Sequence, residues 1–425
     1  MTEITLHPAE ARGRIRAPPS KSFTHRALVA GFLTGRTHRI RNPLVSDDTN
    51  ATRVGLARLG LKISGTTEVW TLRPVRREGR APTIDCRESG TTLRFLTAVA
   101  ALGSRPVRFI GRGRLPDRPI EDLYRALEQL GGSVRREGLS QAVPATVEGP
   151  LRSGLVRIRG SVSSQFISAL LMVLPSLDGD STLEIVGPRV SRPYVEATRA
   201  VLGHHGVHSR ATARGYEVPG NQRFQARGFD VPGDASSAAY LWAAAAVTGG
   251  SVEVRGVSTA LPQADRRILD LLEEMGADVR RKQDDAAVSG RVSRGVDVDL
   301  TEAPDLFPLV GVVAAVVPDG RSQLRGAAHA ATKESDRRAG TLDLVRAMGA
   351  RVAVTRRGIA VRGVERPRAL RLTRLADHRM VMSAGVAALA ARGPSRIGDA
   401  NAVRKSFPEF WLALTQLGAG PRSTA

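Results

Sequence analysis

A short pattern that recurs six times along the 425-residue chain constrains its fold more than any other feature. In its full form, as at residues 56–60, an apolar residue is followed by two variable residues, Leu or Met, and Gly, with Val or Ile three residues further on. Apolar residues at i and i+3 mark the end of an amphipathic helix, and glycine suits the left-handed conformation that follows. The copies begin at Leu56, Leu127, Leu202, Leu272, Val345 and Leu414.

The spacing of these copies predicts six structural units. Successive copies lie 71, 75, 70, 73 and 69 residues apart, and a strand is expected at the Val or Ile. One helix–Gly–strand junction is common in any α/β protein, whereas six at near-constant spacing indicate an internal repeat. Two copies are degenerate, with His205 at the Leu/Met position of one and no trailing Val after Gly418. The period is too long for a thin solenoid, so we expect the units to pack three to a domain.

Composition indicates a globular protein of a reducing compartment. Hydrophobic residues make up 42% of the chain and aromatic residues 4%, so a core of Ala, Val, Leu and Ile is expected. The single cysteine, Cys86, excludes an internal disulfide and a cysteine-ligated zinc site. Residues 1–10 lack the pattern of a signal peptide, so we expect a cytoplasmic protein. The longest apolar runs, 238–247 and 306–318, are too short to span a bilayer and predict buried helices.

The net charge of +22 has two interpretations. It fits a nucleic-acid-binding protein, or an enzyme for acidic small molecules whose surface is rich in arginine. The basic residues are scattered along the chain, and aromatic residues, on which single-stranded nucleic acids stack, are scarce. We therefore expect anionic small-molecule substrates, no nucleic-acid partner and no membrane partner.

Lysine is rare in this chain. Of the 63 basic residues, five are lysines, which leaves 58 arginines. Lys21, Lys333 and Lys405 lie in short polar motifs, whereas Lys62 and Lys282 do not. A lysine retained in an arginine-rich chain indicates a site that needs a compact ammonium, or an amine that can lose its proton, although chance retention is the alternative.

Four polar clusters stand at the predicted starts of helices. Hydroxyls, backbone N–H groups and the positive end of a helix dipole together bind phosphate and carboxylate. Plain helix capping explains any one cluster better. Four in one chain, three of them with a nearby Lys, Arg or Gln, favour a polyanionic substrate. The clusters are residues 20–22, 88–92, 161–165 and 233–237.

As a set, ten motifs resemble those of the 3-phosphoshikimate 1-carboxyvinyltransferase family, also called 5-enolpyruvylshikimate-3-phosphate (EPSP) synthases. They lie in the family's order and spacing and cover the chain from about residue 5 to 418. No single motif suffices for the assignment. The motifs are PSKS at 19–22 with Arg26, ESGTTLR at 88–94, DRPI at 117–120, SSQ at 163–165, SRPY at 191–194, GDASS at 233–237, PD at 304–305, KESDR at 333–337, DHRM at 377–380 and KSFP at 405–408.

The resemblance implies a fold and a reaction. The fold is a mixed α/β (α+β) two-domain inside-out barrel of six βαβαββ repeat units, three per domain. The domains are residues 20–233 and residues 1–19 plus 234–425, with the active site in the cleft between them. In the reaction, the 5-hydroxyl of shikimate 3-phosphate attacks C2 of phosphoenolpyruvate while C3 is protonated, and the tetrahedral intermediate loses phosphate. The family uses no metal or organic cofactor, glyphosate competes with phosphoenolpyruvate, and a monomer is expected.

The resemblance also assigns site residues. Asp305 and Lys333 are candidates for the proton of the 5-hydroxyl, Glu334 for the acid that protonates C3, and Lys21 for a catalytic position between the substrates. Glycine at position 90 would let phosphoenolpyruvate approach the backbone closely. Shikimate 3-phosphate binding is assigned to Lys21, Ser22, Arg26, Ser163, Ser164, Gln165, Ser191, Asp305, His329 and Lys333. Phosphoenolpyruvate binding is assigned to Lys21, Gly90, Arg118, Gln165, Arg337, Arg379 and Lys405.

Ordinary structural roles compete with these assignments. Asp305 could cap the apolar helix that follows it, and Glu334 could form a surface ion pair with Lys333. Cys86 is expected to be a small buried residue. The histidines at 204, 205 and 208 are expected to lie in a solvated turn and not to bind a metal, because no acidic residue stands near them.

Two other functions share parts of the pattern. The related enolpyruvyl transferase that acts on UDP-N-acetylglucosamine has a catalytic cysteine in the loop that corresponds to residues 111–117, which contains none here. An RNA-directed protein of related repeat fold, such as an RNA 3′-phosphate cyclase, would explain the charge but not the motifs at 163–165 and 333–337. Glu88 and His329 stand where many family members have Asn, and Glu88 adds negative charge near an anion site unless it pairs with an arginine.

Overall fold

The computed structural model describes residues 3–75, 81–138 and 140–421. They belong to two compact units: unit 1 comprises Met1–Pro18 and Pro232–Ala425, and unit 2 comprises Pro19–Val231. The α-helices are α1 Lys21–Leu33, α2 Asp47–Arg58, α3 Gly90–Ala100, α4 Glu121–Gln129, α5 Ser164–Val173, α6 Arg192–His204, α7 Ala235–Thr248, α8 Arg267–Glu274, α9 Phe307–Ala315, α10 Arg337–Ala347, α11 His378–Leu389 and α12 Phe410–Gln416. Short 3-10 helices are Leu115–Asp117, Leu174–Ser176, Ala264–Arg266, Pro304–Leu306, Ala328–Thr332 and Ala400–Lys405.

The strands of the described residues are short. Most contain two to five residues. They are β1 Ile4–Leu6, β2 Arg12–Arg16, β3 His38–Arg41, β4 Leu61–Gly65, β5 Val69–Pro74, β6 Thr83–Asp85, β7 Val107–Ile110, β8 Ser133–Arg136, β9 Ala145–Glu148, β10 Leu155–Arg159, β11 Ser181–Val186, β12 Arg210–Ala211, β13 Gly215–Val218, β14 Phe229–Asp230, β15 Ser251–Arg255, β16 Asp278–Lys282, β17 Asp285–Ser289, β18 Asp297–Asp299, β19 Arg321–Arg325, β20 Arg351–Thr355, β21 Gly358–Arg362, β22 Arg371–Leu372 and β23 Ser395–Ile397.

One pattern of strand pairing recurs in every sheet of the described residues. A parallel pair is extended on one side by an antiparallel strand, and all but one of the sheets add a further antiparallel strand. Unit 2 contains the sheets β14-β3-β5-β4, β6-β7-β9-β8 and β10-β11-β13-β12. Unit 1 contains β2-β15-β17-β16, β18-β19-β21-β20 and the three-stranded β22-β23-β1.

The order of elements along the chain explains this recurrence. The succession strand, helix, strand, helix, strand, strand runs without interruption from β6 to β9, from β10 to β13 and from β18 to β21. In two other sheets the leading parallel strand comes from a distant segment, β14 in one and β2 in the other. The predicted mixed α/β class is thus confirmed, and three of the described sheets follow the βαβαββ order without interruption.

The repeated sequence pattern marks the C-terminus of one helix per copy, as predicted. Each of α2, α4, α6, α8, α10 and α12 ends two residues before the pattern's glycine. All six glycines have positive φ, from +74° at Gly418 to +108° at Gly60. At Gly60 a Cβ would also lie 2.9 Å from the Val75 carbonyl oxygen, so both conformation and space favour glycine there.

The other helices are buried along nearly their whole length. These are α1, α3 and α5 in unit 2 and α7, α9 and α11 in unit 1. A helix that is apolar on all sides belongs inside a core, so the predicted buried runs 238–247 and 306–318 are confirmed in α7 and α9. In unit 2, α3 packs against α1 and α5, and in unit 1 the three buried helices contact one another. No described helix is long and apolar enough to cross a membrane.

Candidate functional site

Several of the predicted site residues lie at the N-terminal ends of the buried helices. In unit 2, Lys21, Gly90 and Ser164 are the first residues of α1, α3 and α5. In unit 1, Asp305 lies in the short helix that leads into α9, and Arg379 is the second residue of α11. Helix N-termini present unpaired N–H groups and a positive dipole end, so each unit offers several anion-binding positions.

Capping occurs at these ends as well. Ser89, Ser163 and Asp234 each accept a hydrogen bond from a backbone N–H in the first turn of the helix that follows. The structural alternative given for the polar clusters therefore holds for three of the four. Capping does not explain why the clusters also contain Lys21 and Gln165, whose contacts are described below.

Arg26 is a buried cation that is held by neutral oxygens. Its Nε donates to Thr198 Oγ1 at 2.8 Å, Nη1 to the Ser22 carbonyl and Oγ at 2.9 and 3.0 Å, and Nη2 to the Tyr194 carbonyl at 2.8 Å. Burial lowers the pKa of Arg26 to about 10, which leaves it charged at pH 7. These bonds fix Ser22 at the start of α1, and they do not neutralise the positive charge.

Arg94 links α3 to α5. Its Nη1 donates to Gln165 Oε1 at 2.5 Å and its Nη2 to the Pro119 carbonyl at 2.9 Å. The Gln165 Nε2 in turn donates to Thr91 Oγ1 at 3.0 Å. Arg94 stood in a matched motif but was not predicted as a site residue. The sequence did contain a signal for Arg94, which is an arginine inside an otherwise apolar helix. A cation buried in such a helix needs specific partners, so its position indicates a role.

Gly90 leaves room for a side chain of the same unit. A Cβ at this position would lie 2.8 Å from both Cζ and Nη1 of Arg118. The buried Arg118 guanidinium therefore lies directly over the first residue of α3. The contact with Arg118 is thus a second reason for glycine at this position, beside the predicted close approach of a ligand to the backbone.

Glu88 packs against the loop that leads to Arg118. A Cβ built on Gly113 would lie 2.8 Å from the Glu88 Cδ, and Gly113 has a φ of +62°. The carboxylate is therefore turned toward residues 111–117, the segment in which the amino-sugar transferases place a cysteine. Gly113 cannot be replaced by a larger residue without moving Glu88, so the two positions form one packed contact.

Lys21 pairs with a residue that was not predicted. Its Nζ donates to Asp48 Oδ2 at 3.1 Å, and both side chains are largely buried. The Asp48 carbonyl accepts from Thr92 Oγ1 at 3.3 Å, which connects this pair to the start of α3. Asp48 lies in the first turn of α2, where an acidic residue is typical of any helix, so the sequence offered no signal for its role.

Ser191 has an unusual backbone conformation. It is buried, precedes α6 and has a φ of +55°. Positive φ is uncommon for residues other than glycine, and such strain concentrates at ligand sites. Together with Ser163 and Ser164 at the start of α5, Ser191 belongs to unit 2, so the three predicted phosphate-binding serines lie in the same unit.

In unit 1, Arg337 is the centre of a buried cluster of charges. Its Nε donates to Asp377 Oδ2 at 2.9 Å, Nη1 to Asp305 Oδ1 at 2.7 Å and Nη2 to Glu334 Oε2 at 2.6 Å. Burial disfavours the charged form, but the three carboxylates outweigh it and raise the pKa of Arg337 above its ordinary value. We call the set Asp265, Asp305, Glu334, Arg337, Asp377 and Arg379 the carboxylate–arginine cluster.

Asp305 bridges both arginines of the cluster. Its Oδ1 accepts from Arg337, its Oδ2 accepts from Arg379 Nη2 at 2.7 Å, and Lys333 Nζ lies 3.9 Å from Oδ1. Burial raises the pKa of Asp305, but Arg379, Lys333 and Arg337 together hold it well below its ordinary range. The capping alternative for Asp305 is thus not supported, because its side-chain oxygens bind arginines of other helices.

Glu334 is not part of a surface ion pair. Its side chain is 12% exposed and accepts from Arg337, so the surface alternative is wrong. Lys333 is 24% exposed and faces Asp305. His329 and Lys405 are buried, each in a short helix of the same unit. Burial and the nearby Lys333 lower the pKa of His329 to about 4, so it is neutral at pH 7.

Two acidic residues of the cluster were not predicted as site residues. Asp377 caps α11 through its contact with the Arg379 N–H, and it also accepts from Ser335 Oγ and Arg337. Asp265 Oδ2 lies 3.9 Å from Arg379 Nη1 and accepts from Ser236 Oγ at 2.5 Å. Asp377 stood in a matched motif, whereas Asp265 stood in none, so only the three-dimensional contacts reveal it.

The interpretation of the histidines was wrong for His205. Its ring is fully buried, lies 5.1 Å from the His38 ring and stacks on Phe229. Burial lowers the pKa of both histidines to about 4. Among the described residues no group of three His, Cys, Asp or Glu could hold a metal ion. Cys86 is buried, as expected.

The sequence is similar to a set of known enzymes. The model of the EPSP synthase (3-phosphoshikimate 1-carboxyvinyltransferase) family matches residues 7–414. The 3-phosphoshikimate 1-carboxyvinyltransferase of Methanocorpusculum labreanum is 36% identical over 423 residues, with 99% of each chain covered. That of Methanoculleus marisnigri is 39% identical over 404 residues, with 94% of this chain and 95% of the relative covered.

Solved structures show the same fold. An EPSP synthase from Acinetobacter baumannii superposes with a TM-score of 0.81 at 22% identity and 99% coverage of each chain. The enolpyruvyl transferase NikO from Streptomyces tendae superposes with a TM-score of 0.78 at 18% identity, with 100% of this chain and 99% of the other covered. At these identities the likeness concerns the fold, and it confirms the predicted fold class.

Proposed function

The chain belongs to the EPSP synthase family, and from this we propose that it transfers the enolpyruvyl group of phosphoenolpyruvate to the 5-hydroxyl of shikimate 3-phosphate and releases phosphate. The observation that carries the proposal is the family match over residues 7–414. The charged groups described above suit the chemistry, because both substrates are polyanions and the reaction needs preorganised donors and proton carriers.

We propose that unit 2 supplies the permanent anion sites. Ser163, Ser164 and Ser191 bind the 3-phosphate, and Ser22, positioned by Arg26, binds the shikimate portion. Support comes from the buried Arg26, whose partners in unit 2 are neutral oxygens, so that its charge is available to an anion nearby. Arg118, Gln165 and Lys21 reach toward phosphoenolpyruvate at the starts of α3, α5 and α1.

Unit 1 supplies the acid and base in this proposal. The hydroxyl oxygen forms a bond to C2 while its proton passes to Asp305, or to Lys333 in its neutral form, and Glu334 delivers a proton to C3. In the second step the Glu334 carboxylate takes a proton back from C3, the C2–C3 double bond forms again and the C–O bond to phosphate breaks. Asp305 is held ionised by three cations, so it accepts hydrogen bonds well and becomes a better base once substrate anions engage those cations.

Arg337 takes a different role from the one first assigned. It was predicted to bind phosphoenolpyruvate, but its guanidinium donates to Asp305, Glu334 and Asp377. We propose that it positions these carboxylates. Arg379 and Lys405 remain the cations of unit 1 assigned to phosphoenolpyruvate. A monomer in the cytoplasm, acting on these small anions without cofactor, nucleic acid or membrane, completes the proposal.

Phosphate release by the purified protein tests the function. With both phosphoenolpyruvate and shikimate 3-phosphate present, we expect turnover and formation of the enolpyruvyl ether, measured as inorganic phosphate and by mass spectrometry. Either substrate alone should give none. Turnover with UDP-N-acetylglucosamine in place of shikimate 3-phosphate, or no turnover with both named substrates, would contradict the proposal.

A further inference from the structure

Asp265 is a buried carboxyl group with no role in the chemistry proposed above. It belongs to the helix Ala264–Arg266 that precedes α8, and 1% of its surface is exposed. Its Oδ2 accepts a hydrogen bond from Ser236 Oγ at 2.5 Å, and the same atom lies 3.9 Å from Arg379 Nη1. A carboxylate this deeply buried is costly unless it is paired, so the distance to Arg379 governs its charge.

Arg379 lies between two carboxyl groups of unequal character. Its Nη2 donates to Asp305 Oδ2 at 2.7 Å, and Arg337 holds the other oxygen of Asp305. Asp265 shares the same guanidinium at the longer distance of 3.9 Å. Burial raises the pKa of Asp265 to about 6, partly offset by Arg379, whereas the pKa of Asp305 lies well below its ordinary range. Of the two carboxyl groups beside Arg379, Asp265 is therefore the one that can take up a proton near neutral pH.

The charged groups around Asp265 come from three elements. Arg379 faces it from α11 and favours its ionised form. Asp305, from the helix before α9, and Asp234, at the start of α7, are like charges that favour the protonated form. Ser236, also on α7, donates its hydroxyl and favours ionisation. Burial is the largest influence on the pKa of Asp265, and Arg379 is the largest among the neighbouring groups, so a ligand that binds this guanidinium alters the pKa.

We propose that Asp265 positions Arg379 and couples anion binding at this guanidinium to the uptake of one proton from solvent. The inference rests on the proposed function, because it takes Arg379 as a ligand of the phosphoenolpyruvate anion. A bound anion draws the guanidinium charge to itself and places a like charge beside Asp265, and both effects favour the neutral carboxyl. One O–H bond forms on Asp265 and no other bond changes. When phosphate leaves, Asp265 releases the proton to solvent and its carboxylate again pairs with the Arg379 guanidinium.

The pH dependence of KM for phosphoenolpyruvate tests this coupling. Asp265→Asn keeps the shape and can accept from Ser236 but stays neutral. Between pH 5.5 and 8.5 we expect the ratio of KM in the wild type to KM in the variant to rise about tenfold, since one unit of pKa shift corresponds to a tenfold change in affinity. The titration of the substrate itself cancels in this ratio. Asp270→Asn, exposed on α8, is the matched control and should follow the wild type.

Two results would overturn the inference and one would overturn its premise. A constant ratio across this pH range means that Asp265 does not take up the proton. The same holds if calorimetry at pH 7, in buffers of different ionisation enthalpy, shows no proton uptake by the wild type when phosphoenolpyruvate binds in the absence of shikimate 3-phosphate, so that no turnover occurs. Absence of turnover by the wild type with both substrates would instead contradict the proposed function.

Ser236→Ala provides a second variant in case Asp265→Asn does not fold. Its hydroxyl stabilises the ionised carboxylate, so its loss should raise the pKa of Asp265. We expect the rise of KM with pH to begin at a higher pH than in the wild type, while kcat at pH 6 changes less than about twofold. An unshifted profile in a folded Ser236→Ala protein would count against the coupling.

Discussion

Arg26 in unit 2 and Arg337 in unit 1 are two buried arginines that are held by different kinds of partner. In unit 2, Arg26 donates to hydroxyl and carbonyl oxygens, and Arg94 donates to the Gln165 amide and the Pro119 carbonyl. In unit 1, Arg337 donates to the carboxylates of Asp305, Glu334 and Asp377. Arg379 donates to the second oxygen of Asp305. Burial lowers the pKa of Arg26, whereas the carboxylates raise that of Arg337.

This difference separates two tasks of an active site. A cation held by neutral dipoles keeps its charge for a ligand, whereas a cation surrounded by carboxylates fixes their positions and protonation states. Unit 2 is therefore suited to anions that stay charged throughout a reaction, and unit 1 to groups that gain and lose protons.

Asp305→Asn removes the carboxylate that both arginines of unit 1 share. We expect kcat to fall about 10³-fold, because an amide cannot take the hydroxyl proton and the arginine geometry loses its bridge. Phosphate release at saturating substrates measures the effect. Asp297→Asn, whose side chain is 60% exposed and pairs with Arg325, is the control and should retain normal turnover. A decrease in kcat of less than tenfold would show that Asp305 is not a catalytic residue.

Lys333→Arg keeps the charge beside Asp305 but prevents proton loss. We expect kcat to fall about 100-fold with a smaller change in KM, because arginine does not deprotonate in proteins. Lys62→Arg and Lys282→Arg, which lie on exposed strand positions of the two units, are matched controls and should be silent. Near-normal kcat in Lys333→Arg would show that deprotonation at this position is not needed.

Gln165→Glu converts the neutral partner of Arg94 into a carboxylate and so gives unit 2 the character of unit 1. We expect KM for phosphoenolpyruvate to rise about tenfold, because the new charge neutralises Arg94 and repels the substrate. Initial rates at varied phosphoenolpyruvate measure it. Gln129→Glu places the same charge on the exposed end of α4 and controls for net charge. An unchanged KM would show that phosphoenolpyruvate binding does not depend on a neutral partner for Arg94.

Gly90→Ala tests the contact between α3 and Arg118. The new Cβ would lie 2.8 Å from the guanidinium. Because this group is the end of a flexible side chain it can shift, so we expect a loss of stability below about 1 kcal/mol but a rise in KM for phosphoenolpyruvate of about fivefold. Gly203→Ala, on α6 with open space around it, is the control for thermal stability. Equal KM values in both variants would show that Arg118 does not contribute to the binding of phosphoenolpyruvate.

Much of the local structure could be predicted from the sequence because it depends on neighbouring residues. The six glycines of the repeated pattern fall two residues after a helix end with positive φ, and the apolar runs became α7 and α9. Lys21, Gly90 and Ser164 lie at the starts of buried helices because polar residues that precede an apolar run belong to a helix N-terminus. The prediction of a solvated turn was wrong for His205, since its burial depends on His38 and Phe229, which are distant in sequence.

The repeat, the fold class and the family can be read from the sequence alone, because periodicity, turn glycines and motif order are properties of the chain. The compensation of the buried charges becomes visible in three dimensions. Arg94 meets Gln165 across 71 residues, Arg379 meets Asp305 across 74, and Gly90 is explained by Arg118. Such contacts depend on packing between helices, and the energy of a buried charge is set by whichever group that packing places within a few ångström of it.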